Sequence, residues 1–215
     1  MEKLSLPDIR KDYRMAMLDE KDVNSNPFAQ FEKWFGEILH SGIAEPNAMT
    51  LATATKKGHV SARIVLLKGF DSAGFYFYTN YESKKANQIN ENPAGALVFF
   101  WKELERQVRI EGRITRSDGQ NSDAYYQSRP EKSRISAWAS PQSQVIPDRA
   151  HLEDRVKRAE EQFKDSSLTR PPFWGGYLLQ PALFEFWQGR GDRLHDRIQY
   201  LSDAGGTWKI QRLAP

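Results

Sequence analysis

The stretch AMTLATATKKGHVSARIVLLK, residues 48–68, joins two segments that favour β-strands through a short polar turn. Residues 48–55 are rich in threonine and small side chains, and residues 60–68 are rich in branched apolar ones. Lys56, Lys57, Gly58 and His59 lie between the two segments and are typical of a turn. The stretch therefore predicts a β-hairpin.

The same pattern recurs along the chain. Asp71–Gly74 predicts a turn that leads into a strand over Phe75–Thr79, and Ala94–Trp101 with Arg106–Arg116 predicts a second long hairpin. Further strands are predicted over 174–180, 183–188, 197–201 and 207–212. Because the strands follow each other without regular strand–helix alternation, an antiparallel sheet or barrel is favoured over a doubly wound fold.

Helices are predicted around these strands. The first covers Leu6–Leu18. The second starts at Pro27, ends near Gly42 and carries one apolar face. That face consists of Phe28, Phe31, Trp34, Phe35, Ile38 and Leu39. A short helix follows Ser83 through Asn90, a longer section covers 118–139 with a break at Pro130, and the last covers 148–164. The fold class predicted is mainly β with flanking helices.

Composition narrows the possible functions. The chain has 215 residues, which suits one domain with helical additions, and no cysteine, which excludes disulfides, thiolate metal ligands and cysteine nucleophiles. No apolar stretch approaches the ~20 residues of a membrane span, and the N-terminus lacks a signal core, so a cytoplasmic protein is expected. No histidine pair has metal-ligand spacing, so no metal is expected. The net charge of +3, with local basic clusters, favours small-anion sites over nucleic acid.

The run Arg193-Leu194-His195-Asp196-Arg197 is the most unusual concentration of polar groups. If it is extended, Arg193, His195 and Arg197 share one strand face, where an anion or a planar acceptor-rich ring would compensate them. A solvated edge strand is the alternative.

Two further segments carry cations that could bind anions. Arg63 and Lys68 are five residues apart, so a regular strand places them on opposite sides, where they could serve two separate anions. Charged strand ends in water are the alternative. Tyr78 and Thr79, followed by Lys84 and Lys85 at a helix start, predict a phosphate site, with solvated lysines as the alternative.

A third set, around the predicted helix break, consists of Tyr125, Arg129 and Ser133. Hydroxyl groups beside one arginine are typical anion ligands, and a guanidinium can hold a phosphate through two hydrogen bonds.

Taken together, these segments resemble the pyridoxine (pyridoxamine) 5′-phosphate oxidase family. The matching pieces occur in family order over nearly the whole chain: residues 63–68, 77–80, 83–85, 104–108, 128–130, 142–143, 173–176, 186–189 and 193–197. The resemblance implies a split β-barrel that binds FMN in the cleft of a homodimer with shared active sites. It implies one domain over 1–215, with an N-terminal helical segment over about 1–42 and dimerisation strands over about 173–215.

The resemblance also implies site residues. Positions that bind FMN in the family correspond to Arg63, Ile64, Val65, Leu66, Leu67, Lys68, Tyr78, Thr79, Lys84, Lys85, Gln107, Gln142, Ser143, Trp187 and Arg197. Positions that hold the substrate phosphate correspond to Lys68, Tyr125, Arg129 and Ser133. Positions over the substrate ring correspond to Arg193, Leu194 and His195, and a closing N-terminal segment corresponds to Arg10, Lys11, Asp12 and Tyr13. The family often has arginine where Lys84 stands, and a lysine supplies a point charge rather than a fork.

The activity implied is oxidation of pyridoxine or pyridoxamine 5′-phosphate by O2 to pyridoxal 5′-phosphate, with release of H2O2 and, from the amine, NH3. Arg193 and His195 are the catalytic candidates, and the sequence leaves open which of them assists proton removal. A flavin or deazaflavin enzyme with another substrate is one alternative, although it would not need Lys68, Tyr125, Arg129 and Ser133 together. A non-enzymatic module for nucleic acid or pyridoxal phosphate is another, although the basic residues are scattered rather than gathered in one tract.

Overall fold

The computed structural model describes residues 12, 13, 15–203 and 205–215. Strands dominate this part of the chain, and five α-helices flank them, so the mainly β class is confirmed. The helices are α1 (Pro27–Leu39), α2 (Lys84–Glu91), α3 (Gly119–Ser128), α4 (Glu131–Ala139) and α5 (Arg149–Gln162). The strands are β1 (Ala48–Ala54), β2 (Val60–Leu66), β3 (Gly69–Asp71), β4 (Gly74–Asn80), β5 (Ala94–Trp101), β6 (Arg106–Arg116), β7 (Trp174–Gln188), β8 (Asp196–Ser202) and β9 (Trp208–Leu213).

The chain divides into two compact units, each made of separate stretches. The first unit comprises residues 1–46, 98–110 and 182–215, and the second comprises 47–97 and 111–181. Strands β5, β6 and β7 each contribute residues to both. The predicted single-domain organisation stays a prediction.

The second unit carries the predicted hairpin. Strands β1 and β2 pair antiparallel from Ala48 with Leu66 to Ala54 with Val60. The strand order in the sheet is β2-β1-β5-β6-β7-β4-β3. Alternate residues of β1 are buried, which identifies one face of the sheet as the core face. Its core includes Leu51, Phe77 and Tyr177, and the last two rings stack with centroids 5.5 Å apart.

The first unit is built on α1 and the strand pairs β7–β8 and β8–β9. The side chain of Asn26 accepts the N–H of Phe28 and caps the helix, and Pro27 occupies its first turn. Phe31 and Trp34 lie 5.2 Å from Phe99 and Phe186, respectively, between ring centroids, which confirms the apolar face.

Two details of that helix differ from prediction. Leu39 is 56% exposed, so it does not belong to the buried face. The helix ends at Leu39, and Gly42, with a φ of +74°, follows in the turn that comes after it. The apolar face therefore covers a narrower stripe than the spacing suggested.

The predicted helix over Leu6–Leu18 is wrong where the structure describes it. Asp12, Tyr13 and residues 15–18 have no helical structure, and the rest of that helix lies outside the described residues. The backbone N–H groups of Met15 and Leu18 donate instead to side-chain carboxylates, at 3.1 Å to Oε2 of Glu105 and 3.0 Å to Oδ2 of Asp196. These tertiary hydrogen bonds replace those that a helix would make.

Strand β7 is continuous where two strands were predicted. Strands over 174–180 and 183–188 were predicted, yet a single strand runs from Trp174 to Gln188 through Pro181. A Cβ atom on Gly112 of β6 would lie 2.0 Å from the carbonyl oxygen of Gln180. The two backbones approach closely at a glycine beside the proline, and the strand passes without a turn.

Candidate active site

A cavity of about 520 Å3 in the second unit brings together most of the predicted anion-binding residues. Residues from the ends of β2 and β4, from α2, and from the region of α3 and α4 contribute to its wall. The predicted residues that line it are Arg63, Ile64, Val65, Leu66, Lys68, Tyr78, Thr79, Lys85, Tyr125, Arg129, Ser133 and Gln142.

Arg63 and Lys68 line this one cavity, so the prediction that they face opposite sides is wrong. Strand β2 ends at Leu66, before Lys68 is reached. The N–H of Leu67 donates to Asn47 at 2.8 Å, and the N–H of Lys68 donates to the carbonyl of Tyr76 in β4 at 2.9 Å. The backbone therefore bonds to a different segment at Lys68 than at Leu67, and the two-residue alternation of β2 does not continue from Arg63 to Lys68.

The guanidinium of Arg63 is held by neutral groups. Its Nη1 donates to the carbonyl oxygen of Leu51 at 3.0 Å and to Oγ1 of Thr53 at 2.7 Å, and its Nη2 donates to Oε1 of Gln88 at 3.4 Å. Burial lowers the pKa of Arg63 from its ordinary value. The group remains charged, because an arginine pKa lies far above neutral pH.

Lys85 is the most perturbed cation in the cavity. Its Nζ donates to Oε1 of Gln142 at 2.7 Å and to Oγ1 of Thr79 at 3.1 Å. Burial, with a smaller contribution from the charge of Arg63, lowers the pKa of Lys85 to about 8. The protein holds two cations here at a cost, and an anion would offset that cost.

Arg129 and three aromatic rings form another part of the wall. The rings of Tyr78 and Tyr125 stack at 4.0 Å and those of Tyr78 and Trp174 at 5.7 Å, between centroids. The guanidinium carbon of Arg129 lies 4.6 Å from the centroid of Trp174. Its Nη1 is buried and has no hydrogen-bond partner among the described residues. Nζ of Lys68 lies 5.9 Å from the Tyr125 ring.

No carboxylate lines this cavity or lies within ion-pair distance of its four cations, so far as the described residues show. Four cationic side chains around about 520 Å3, one of them with an unpartnered buried N–H, fit anionic ligands. The donor set fits phosphate groups, which Arg and Lys bind through charge-assisted hydrogen bonds.

Three predicted FMN residues of the second unit do not line this cavity. Leu67 is buried at 5% exposure and uses its backbone to bind Asn47. Lys84 and Ser143 line a separate cavity of about 450 Å3, which shares Gln142 with the first.

Sequence reasoning missed three residues of the site. Trp174 lies in the segment 173–176 that carried part of the resemblance, so its aromatic character was a usable signal. Thr53 and Gln88 are polar, buried and hydrogen-bonded to each other at 2.6 Å. They support Arg63 from β1 and α2, and nothing local in the sequence relates these positions.

The first unit carries the other predicted residues. The prediction that Arg193, His195 and Arg197 share a strand face is wrong, because β8 starts only at Asp196. Residues Gly191–Arg193 form a short 3-10 turn, in which Asp192 and Arg193 have φ values of 54° and 61°. This left-handed conformation breaks the two-residue alternation of a strand.

Trp187, His195 and Tyr13 form an aromatic cluster. Between ring centroids, Trp187 lies 4.7 Å from His195, and Tyr13 lies 5.8 Å from Trp187 and 5.9 Å from His195. A Cβ atom on Gly189 would lie 2.7 Å from Cγ of Tyr13, so only glycine fits beneath this ring. Asp12 is exposed, whereas Arg10 and Lys11 lie outside the described residues.

His195 is hydrogen-bonded through Nδ1, which accepts the backbone N–H of Arg190 at 3.1 Å. Burial, followed by the charge of Arg193, lowers the pKa of His195, and the charge of Asp196 opposes this. Asp196 accepts Nη1 of Arg190 at 3.0 Å and Nη1 of Arg212 at 2.8 Å.

Arg197 is oriented by a buried acid. Glu185 is 3% exposed and accepts Nε of Arg197 at 2.9 Å and Nη2 of Arg109 at 2.5 Å. Hydrogen bonds from the two arginines outweigh the desolvation that opposes them and lower the pKa of Glu185.

Two more of the predicted site residues belong to the first unit. Gln107 lies in β6, and Leu194 is 69% exposed.

The described residues contain neither a cluster of metal ligands nor a helix that could span a membrane. No group of three His, Cys, Asp or Glu residues there is arranged to hold a metal ion. None of the helices in that part of the chain is long and apolar enough to cross a membrane.

Comparison with known proteins supports one class. A solved structure of PhzG from Burkholderia lata, in complex with tetrahydrophenazine-1-carboxylic acid, matches with a TM-score of 0.88 and 29% identity, over 95% of this chain and 100% of that one. A pyridoxamine 5′-phosphate oxidase-related, FMN binding protein from Nostoc punctiforme matches with a TM-score of 0.68 and 20% identity, over 86% of this chain and 97% of that one. The fold is the split barrel of such proteins, as predicted.

Sequence comparison is more specific. The model of pyridoxamine 5′-phosphate oxidase matches residues 36–163, and that of the pyridoxine 5′-phosphate oxidase C-terminal dimerisation region matches residues 174–215. Proteins named pyridoxine/pyridoxamine 5′-phosphate oxidase from Burkholderia mallei and Paraburkholderia phymatum are 55% and 52% identical, over 98% of this chain and 99% of each relative. The chain therefore belongs to the pyridoxine/pyridoxamine 5′-phosphate oxidase family and is an enzyme of the flavin oxidase class.

Proposed function

We propose that this protein oxidises pyridoxine or pyridoxamine 5′-phosphate to pyridoxal 5′-phosphate with FMN and O2. The reaction would complete the synthesis and salvage of the vitamin B6 cofactor. The observation that carries the proposal is the acid-free cavity with Arg63, Lys68, Lys85 and Arg129 in its wall. Four cations without a carboxylate suit two phosphate groups, one on the cofactor and one on the substrate.

The four cations divide into two pairs. Arg63 and Lys85 are close enough for the charge of one to lower the pKa of the other, and they are proposed to hold the FMN phosphate with Thr79. Lys68 and Arg129 lie beside the aromatic rings of Tyr125 and Trp174, respectively, and are proposed to hold the substrate phosphate with Ser133. The buried Nη1 of Arg129 would then gain the partner that it lacks among the described residues.

The residues of the first unit are proposed to act at the rings of the two ligands. Trp187 and Arg197 would contact FMN, and Arg193 and His195 would contact the substrate ring. The match to a dimerisation region over 174–215 supports a homodimer in which each active site takes residues from both copies. Location in the cytoplasm stays a prediction.

FMN, when bound, supplies a two-electron acceptor that takes a hydride from the substrate carbon and is reoxidised by O2 with release of H2O2. The protein's own contribution is placement and electrostatics. The cations fix both phosphates, and the aromatic cluster of Tyr13, Trp187 and His195 provides apolar walls. The positive charge of Arg193 would favour negative charge on the alcohol oxygen of the substrate as its proton leaves.

A second candidate arises from the PhzG structure, whose ligand is a carboxylic acid without a phosphate. An enzyme of that type would not need the pair Lys68 and Arg129. The unpartnered Nη1 of Arg129 therefore favours a phosphorylated substrate.

The test is anaerobic reduction. The FMN-loaded protein is mixed with pyridoxine phosphate or pyridoxamine phosphate, and the visible flavin band is followed. Bleaching, with the colour and one equivalent of peroxide appearing on admission of air, is expected. Arg129→Met should bleach only at much higher substrate concentration. A yellow protein that neither phosphate bleaches, but that a tetrahydrophenazine carboxylate does, would refute the substrate assignment. A protein that does not retain FMN would refute the cofactor.

A further inference from the structure

We propose that His195 serves the reaction as a neutral hydrogen-bond donor through Nε2, and not as the base that removes a proton. The proposal deepens the proposed function and rests on it for the identity of the substrate. The tautomer itself follows from the geometry of the protein alone.

The backbone of Arg190 determines which ring nitrogen carries the proton. A backbone N–H can only donate, so Nδ1 of His195, which lies 3.1 Å from it, must present its lone pair. A neutral imidazole has one N–H, which is then on Nε2. Nε2 has no hydrogen-bond partner among the described residues, so this donor is available to a ligand.

Neighbouring groups hold this arrangement in place. Arg190 is fixed by the ion pair of its Nη1 with Oδ2 of Asp196 at 3.0 Å. The rings of Trp187 and Tyr13 pack against the imidazole at 4.7 and 5.9 Å, which opposes a ring flip that would exchange its edges. Burial, followed by the charge of Arg193, disfavours a positive charge on His195 and so lowers its pKa, although the charge of Asp196 opposes this.

Asp196 does not act as the carboxylate partner of the histidine, although it is the next residue in the sequence. Its two oxygens accept from the side chains of Arg190 and Arg212 and from the backbone N–H of Leu18. The histidine is bonded to a peptide N–H instead, and no carboxylate among the described residues accepts a hydrogen bond from Nδ1, where it would stabilise an imidazolium.

The chemical consequence is that His195 cannot accept a proton without losing its bond to Arg190. Arg193 cannot accept one either, because a guanidinium stays protonated at neutral pH. His195 therefore donates from Nε2 to an oxygen substituent of the substrate ring. Bound FMN would supply the acceptor for the two electrons of the alcohol, and the hydroxyl proton of the substrate would pass to water rather than to His195.

The first experiment reads the tautomer directly. Protein labelled with 15N-histidine is measured by NMR between pH 6 and 8, and the His195 signals are assigned by their loss in His195→Gln. We expect Nε2 to be protonated and Nδ1 to be unprotonated at pH 7. A proton on Nδ1, or an imidazolium at pH 7, would overturn the proposal whether or not the substrate assignment holds.

The second experiment compares two amides. The glutamine amide in His195→Gln reaches the place of Nε2 and can still donate there, whereas the shorter amide in His195→Asn reaches only the place of Nδ1. Both variants lose activity, but kcat/KM of the asparagine variant should be lower by about tenfold or more, which corresponds to one lost hydrogen bond to the substrate. His151→Gln on the exposed face of α5 is the matched control. Equal losses in the two variants would show that a donor at the place of Nε2 is not what the reaction requires, and would overturn the proposal.

Discussion

The replacement Lys85→Met should make the protein without FMN more stable and make it bind FMN more weakly. Lys85 is partly buried, and its pKa falls from the ordinary 10.5 to about 8. A difference in pKa of this size means that the charged lysine lowers the free energy of unfolding by about 3 kcal/mol at neutral pH. The methionine variant avoids that cost and keeps a side chain of similar length.

The gain is reduced by two lost hydrogen bonds. Nζ of Lys85 donates to Thr79 and Gln142, and each such bond contributes about 1 kcal/mol. A net stabilisation of about 1 kcal/mol is therefore expected at pH 7. Because the folded protein releases its proton from Lys85 at lower pH than the unfolded chain does, the stability of the wild type should rise between pH 8 and 10.5 relative to the variant.

Affinity for FMN should change in the opposite direction. A charge-assisted hydrogen bond to phosphate contributes about 1.5–3 kcal/mol, so the dissociation constant should rise by about 10- to 100-fold. Binding of a phosphate raises the pKa of Lys85, and protonation of the lysine is then coupled to binding. Wild-type affinity should consequently weaken as pH rises through about 8, and the variant should lack this step.

The assay is quenching of flavin fluorescence at a series of pH values, combined with thermal denaturation of the FMN-free protein. Lys57→Met in the exposed β1–β2 turn is the control, since it removes one lysine charge away from the cavity. Two results would refute the placement of the phosphate at Lys85. One is an equal FMN affinity in Lys85→Met and wild type, and the other is a wild-type affinity that stays constant from pH 7 to 9.5.

Three further predictions concern other parts of the site. Arg129→Met should raise KM for either phosphorylated substrate by about 10- to 100-fold with a smaller change in kcat, and an unchanged KM in steady-state assays would contradict this. Glu185→Gln leaves Arg109 and Arg197 without their shared counter-charge, so the free energy of unfolding should fall by about 2 kcal/mol in thermal denaturation. An unaltered Tm would show that the two ion pairs contribute nothing to stability. Gly189→Ala places a methyl group 2.7 Å from Cγ of Tyr13, so hydrogen exchange over residues 15–18 should accelerate, and equal exchange would disprove the contact.

The hairpins of the fold could be predicted because local patterns dictate them. Strands β5 and β6 begin and end at the predicted residues Ala94, Trp101, Arg106 and Arg116. Alternation and turn residues are both properties of neighbouring residues. The predicted break between residues 180 and 183 was wrong because the continuity of β7 depends on β6, a strand remote in sequence, where Gly112 lets the two backbones approach closely.

The site was only partly predictable for the same reason. The motif residues identified the cavity, but the spacing argument failed at Lys68 and again at Arg193. In the first case, the chain exchanges one neighbouring strand for another after Leu66. In the second, Asp192 and Arg193 adopt positive φ values, which the pattern of side chains does not predict. The partners that support Arg63 lie on separate elements, and only folding brings them together.

The stacked rings of Tyr125, Tyr78 and Trp174 also provide an optical reporter. Their planes lie within 22° of each other in each stacked pair, in a fixed asymmetric arrangement. Aromatic side chains held in this way produce near-ultraviolet circular dichroism, which disappears when packing is lost. Since the rings form part of the wall of the cavity, we expect binding of inorganic phosphate to the FMN-free protein to change this signal, without an added dye.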